Sequence, residues 1–191
     1  MVKVPGSYYN NKDVLVAKAV HLIRDPFDNV VSRFHLSYKE MVKKNETDWL
    51  AKYPKTRQGF RSFCKEQSKR YRQDEQKSKF YTYVFDDAKG VPCHADFFRF
   101  VQWHNLAFIT TAELGIPTMI IHYENYTFSF NQTKDMLLDF LDQEDKYEPP
   151  LFVTGKTYDY FDKKEKIAVA RMFNKLAHKQ TWERTRHYFD E

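Results

Sequence analysis

The sequence predicts an α/β protein with a central parallel sheet, and three observations predict it. Residues 16–42 read as a buried strand running straight into an amphipathic helix. A helical pattern over 95–114 is stopped by Gly115 and Pro117 before a second apolar strand at 118–123. Helical patterns then return at 133–141 and after Asp162. Helix, Gly-x-Pro, strand is an αβ unit, for which a parallel sheet is the natural architecture.

The first strand rests on Val16, Ala17, Ala19, Val20, Leu22 and Ile23, a short apolar run suited to a strand covered on both faces. Arg24 ends it. Asp25 stands where an N-cap is wanted and Pro26 where the first helical residue is wanted, so the helix start is specified twice. Phe27, Val30, Val31, Phe34, Tyr38, Met41 and Val42 then fall on one helical face, with Ser32 off that stripe. Ligands of open α/β sheets bind beyond the carboxyl ends of the strands, where helix N-termini offer backbone N–H groups and a positive dipole end. Arg24 carries a fork of donors suited to phosphate at that place, and Ser32 adds a hydroxyl two turns on. On spacing alone, a plain core strand and helix with Arg24 paired to Asp25 or Asp28 is an equal reading.

The remaining elements follow in order. Residues 1–13 are polar and read as a loop. Thr47 opens a short helix stopped near Pro54, and a further helix over 58–71 turns Phe60, Phe63, Cys64 and Tyr71 inward. Residues 80–85 form a strand or an aromatic-rich extended segment, and 86–92 a turn. In the helix at 95–114, Phe97, Phe98, Val101, Trp103, His104, Ala107, Phe108 and Thr111 cover most of the circumference, as in a helix packed on both sides. The helix at 133–141 buries Met136, Leu137, Phe140 and Leu141. Asp162 and Glu165 form a capping-box variant ahead of a helix packing Val169, Met172, Phe173 and Leu176. A last short helix opens at Thr181 and ends at Tyr188 and Phe189.

A chain of 191 residues suits one domain, and 42% hydrophobic with 17% aromatic residues excludes a disordered chain. No apolar run approaches the ~20 residues of a membrane span, and residues 1–18 lack a signal-peptide core. The net charge of +5 is uneven: residues 52–79 hold ten basic against three acidic side chains. That run is either a solvated helix and loop or a docking face for an acidic glycan, an acidic peptide or nucleic acid. Without an RNP, zinc-finger or helix-turn-helix pattern, no nucleic acid is expected.

Two cysteines, Cys64 and Cys93, lack metal spacing; they are two buried thiols or one disulfide, according to compartment. Three sequons, at Asn45, Asn125 and Asn131, exceed the chance expectation of about 0.8 and favour a glycosylated lumenal protein.

The run Arg24-Asp25-Pro26, Asp28, Ser32-Arg33-Phe34 resembles the 3′-phosphate-binding segment of the sulfotransferases that use 3′-phosphoadenosine 5′-phosphosulfate (PAPS). The resemblance implies that Arg24 and Ser32 hold the cofactor's 3′-phosphate. His122-Tyr123-Glu124-Asn125-Tyr126 is similar to the Tyr-Glu-Asp element that closes a strand in that family, which makes Tyr123 a nucleotide contact; Asn125 stands where the family more often has Asp. By composition Tyr123 also reads as a core aromatic. The family places a late basic loop over the 3′-phosphate, which makes Lys156 a candidate, with a plain turn as the other reading.

In family terms the resemblance covers only the back part of the fold, since residues 1–16 hold neither the first strand nor the Pro-Lys-x-Gly-Thr/Ser loop that wraps the 5′-phosphosulfate. It implies a P-loop-NTPase-like three-layer fold, N-terminally truncated, as one partial domain over 1–191, with 43–92 an insertion or basic helical and loop region. The implied activity is sulfuryl transfer from PAPS to a hydroxyl acceptor, which includes glycans, glycoproteins, small molecules and anionic acceptors. This chain carries the 3′-phosphate and adenosine half and is expected to be inactive alone. No catalytic residue is assigned: His21 reads as a core residue, and His35 and His104 as helix residues. No metal is expected. The nearest branch by residues 92–105, 157–161 and 181–183 is the lumenal sulfotransferases of single-celled eukaryotes. A Golgi or secretory lumen follows, with membrane attachment only through an anchor outside this chain; a cytoplasmic location is the alternative. A non-catalytic module for an acidic glycan or nucleotide is the second functional reading. A P-loop kinase relative is disfavoured because no Walker-type loop is visible.

Overall fold

In order, the chain forms β1 (Val2–Lys3), β2 (Leu15–Val16), β3 (Ala19–Ile23), α1 (Pro26–Lys43), α2 (Thr47–Lys52), α3 (Arg57–Lys77), α4 (His94–Glu113), β4 (Thr118–His122), α5 (Asn125–Phe128), α6 (Phe130–Phe140), α7 (Lys163–Leu176), α8 (Lys179–Thr185) and a 3-10 turn at Arg186–Phe189. The computed structural model describes residues 2–3, 15–77, 88, 90–148 and 159–190. The expected segment at 80–85 and Lys156 lie outside them. The chain is mixed α/β and mostly helical, and among the described residues the parallel sheet is two strands wide. Its contacts divide it into two compact units, one of Met1–Arg24 and Leu106–Gly155 and one of Asp25–Asn105 and Lys156–Glu191.

In the first unit β3 and β4 pair in parallel, Ala19 opposite Thr118 through Ile23 opposite His122. The αβ unit read from Gly115 and Pro117 is present. Gly115 adopts φ +61°, its N–H bonds Ala112 O at 3.2 Å, and Ile116 N–H bonds Thr111 O at 2.9 Å. This is a Schellman close, which needs a left-handed residue and so favours glycine. Two expectations for this unit fail. Val20 and Leu22 are 37% and 51% exposed, so β3 is covered on one face, with His21 and Ile23 inward. An alternating strand in a two-stranded sheet exposes every second side chain, which a continuous apolar run conceals. Met136 is likewise exposed on α6, where Thr133 is buried instead. Lys18 Nζ bonds Phe140 O at 2.6 Å and pairs with Asp142, fastening the end of α6. Before β3, β1 and β2 make a short antiparallel pair.

The second unit is a cluster of aromatic rings inside helices. Asp25 caps α1, its carboxylate accepting from Phe27 N at 2.7 Å and Asp28 N at 3.0 Å, with Pro26 opening the helix. Phe27, Val30, Val31 and Phe34 are buried, as their spacing predicts. Phe34 meets Phe60 and Phe63 of α3, and Phe161 joins Phe60 to Phe97 at 5.5 and 5.4 Å. The capping box of α7 is complete in both directions, Asp162 accepting from Glu165 N and Glu165 accepting from Asp162 N. Glu165 also receives Arg61 through two bonds of 2.7 and 3.0 Å, which ties α3 to the start of α7. Gly59 sits so close to Pro54 that a Cβ would collide with the Pro54 carbonyl oxygen. Cys64 and Cys93, both buried, are paired as a disulfide with Cα atoms 4.6 Å apart.

Helix α4 belongs to the second unit up to Asn105 and to the first from Leu106. It is packed along one side rather than two: Phe97, Phe100, Val101, His104 and Phe108 are buried, whereas Trp103 is 71% exposed.

His35 on α1 supplies a pH test of this unit. Burial, with Lys55 and Lys39 nearby, lowers its pKa from 6.5 to about 4. The unfolded chain therefore takes up a proton near pH 6.5 that the folded chain refuses until about pH 4. Stability is whole above 6.5 and falls as pH drops toward 4. Chemical denaturation across this window is expected to show a shallower acid decline for His35→Gln than for the wild type; superimposable pH profiles would refute it.

Candidate functional site

Arg24 and Tyr123 occupy equivalent places, each the residue following one of the two parallel strands. The ladder brings them together. Ile23 lies opposite His122, and Tyr123 N–H donates to Ile23 O at 2.7 Å, extending the pairing one residue beyond β4. The Arg24 guanidinium carbon lies 4.6 Å from the centroid of the Tyr123 ring, within cation–π range. Both residues are half-buried, and Arg24 Nε is fully buried. A planar cation thus lies against an aromatic face at the carboxyl edge of the sheet, where open α/β sheets receive ligands. The chemistry available there is charge-assisted donation to an oxyanion and stacking of a flat ring.

Ser32 is half-buried on α1 in the second unit, and Arg24 closes the chain segment of the first. Lys156 lies outside the described residues. The first-turn amides of Phe27 and Asp28 donate to the Asp25 carboxylate. This is the N-cap that the sequence assigns to Asp25.

His21 is buried, edge-on to Phe108 at 4.8 Å, and burial lowers its pKa. Its Nδ1 is buried with no hydrogen-bond partner among the described residues. His104 is buried against Phe100. Among the described residues no group of three or more His, Cys, Asp or Glu could hold a metal ion, and no helix is long and apolar enough to cross a membrane. The three sequon residues Asn45, Asn125 and Asn131 are exposed.

Sequence reasoning missed a cavity of about 760 Å³ wholly within the second unit, walled by α7 and floored by aromatic rings. Comparison with family models, curated proteins and solved structures finds no match to this chain.

Proposed function

We propose that the chain is the adenosine and 3′-phosphate half of a PAPS-dependent sulfotransferase, which transfers a sulfuryl group to a hydroxyl acceptor. One observation carries the reading: the guanidinium of Arg24 lies against the ring of Tyr123 at the carboxyl edge of two parallel strands. A 3′-phosphoadenosine group asks for that donor set, a forked cation for the phosphate and an aromatic face for the nucleotide. In this reading β3 and β4 are two strands of a P-loop-NTPase-like three-layer fold. When bound, PAPS supplies the activated sulfuryl group. Arg24 and Tyr123 only grip and orient its nucleotide end. The disulfide and the exposed sequons favour a Golgi or other secretory lumen for the protein.

The test is calorimetry with 3′,5′-bisphosphoadenosine, the desulfated cofactor. The expected result is one site per chain, weakened by on the order of 2 to 3 kcal/mol in Arg24→Ala through loss of a charge-assisted pair. Equal affinity of wild type and variant would defeat the role of Arg24.

A second reading, a non-catalytic module for acidic glycans or nucleotides, draws on the exposed Lys65, Lys69 and Arg70 of α3. Polyanion binding with steep salt dependence and no nucleotide binding would favour it.

A further inference from the structure

The cavity in the second unit lies between one face of α7 and the aromatic C-terminal turn. Helix α7 has two working faces. Val169, Met172 and Phe173 point into the core, whereas Lys163, Lys166, Ile167, Ala170 and Arg171 recur at helical spacing along the cavity wall. Phe27, Phe161, Trp182 and Phe189 supply aromatic surface. Phe27 contacts Phe161 at 5.2 Å and Phe189 at 5.7 Å, and Trp182 stacks on Phe189 at 16° between planes. Phe27 and Phe161 are buried, so the floor is fixed by packing before any ligand arrives.

The rim is charged and mostly basic. Arg57, Lys163, Lys166 and Arg171 line it together with Asp159 and Asp162, four cationic side chains and two carboxylates. Asp162 is already committed, since its carboxylate accepts from Glu165 N at 2.9 Å as the cap of α7. A volume of about 760 Å³ falls inside the roughly 300 to 1,000 Å³ of sites that enclose small organic ligands.

We propose that this cavity is a binding site for an aromatic anion, a molecule with a flat apolar body and one sulfonate, sulfate, carboxylate or phosphate group. The body lies on the Phe27 and Phe161 floor beside Trp182. The acid group lies among the basic side chains that α7 presents to the cavity, Lys163 and Arg171 among them, where charge-assisted donors hold it. The assignment does not depend on the reading of Arg24.

The test titrates the full chain with 8-anilinonaphthalene-1-sulfonate, an aryl anion, and with N-phenyl-1-naphthylamine, the same ring system without the charge. The expected result is one anionic dye per chain, bound about tenfold more tightly than the neutral one. Lys163→Glu combined with Arg171→Glu weakens the anion by about tenfold or more and the neutral dye by less than about twofold. Lys65→Glu combined with Lys69→Glu, a charge-matched change on α3, leaves both dyes unaltered. Ile167→Trp, which fills the cavity from its wall, abolishes both. These side chains are exposed, and unchanged thermal midpoints show that the variants remain folded. Equal binding of the two dyes, or an anionic affinity that survives the Lys163 and Arg171 reversal, would overturn the proposal. Displacement of the dye by 3′,5′-bisphosphoadenosine in the wild type but not in Arg24→Ala would place the dye at the Arg24 site and overturn the proposal as well.

Discussion

Phe97→Ala is expected to lower the stability of the second unit by about 3 to 5 kcal/mol, the range for removing a fully buried phenyl ring from a core that relaxes only in part. Phe97 is 0% exposed and contacts Phe27 of α1 at 5.4 Å, Phe161 at 5.4 Å and Phe173 of α7 at 6.5 Å. Each partner comes from a different part of the unit, so no single side chain can move in to fill the space. The loss combines transfer of the ring, the cavity left behind and several edge-to-face contacts of about 0.5 to 1.5 kcal/mol each. All three tryptophans, Trp49, Trp103 and Trp182, lie in this unit, so their fluorescence in urea reports its unfolding directly. A change below about 1 kcal/mol would mean that the rings around Phe97 are not the core of the unit.

Removing the bond between Cys64 and Cys93 with a Cys64→Ala, Cys93→Ala pair is expected to cost about 3 to 4 kcal/mol in the same assay. The two residues are 29 apart, and a closed loop of that size restricts the unfolded chain by about this amount. The bond joins α3 to the residue preceding α4, two elements also linked by Arg99 of α4, whose guanidinium lies over the Tyr71 ring of α3 and donates to its hydroxyl at 2.6 Å. Both cysteines are 2% exposed, so alanine leaves only small voids and the effect is mainly that of the cross-link. The melting midpoint of the variant should fall on the order of 10 °C below the wild type under oxidising conditions. Reductant should reproduce the drop in the wild type and leave the variant unmoved. A wild type insensitive to reductant would show that the two thiols are not bonded in the folded protein.

The corners of the fold were more legible than its surfaces. Asp25 with Pro26, Gly115 with Pro117, and Asp162 with Glu165 are local signals whose meaning is set within a few residues, and each marks the element end it predicts. Burial depends on what lies opposite. Val20, Leu22 and Trp103 are apolar residues in regular elements, yet nothing in their spacing tells whether a second layer covers them. The meeting of Arg24 with Tyr123 follows from a parallel register across 98 intervening positions of the chain, a relation that the sequence around either residue does not contain. The cavity was hidden for a related reason. Lys163, Lys166 and Arg171 look like an ordinary solvated helix face until Phe27 and the C-terminal aromatics are brought against it.

Calorimetric titration of 3′,5′-bisphosphoadenosine and adenosine 5′-monophosphate into wild type and Arg24→Ala tests the central claim most directly, because the two ligands differ only in the 3′-phosphate. The account predicts that wild type prefers the bisphosphate by roughly thirtyfold and that the variant loses that preference while its affinity for the monophosphate is unchanged. A preference for the bisphosphate that persists in Arg24→Ala would contradict it.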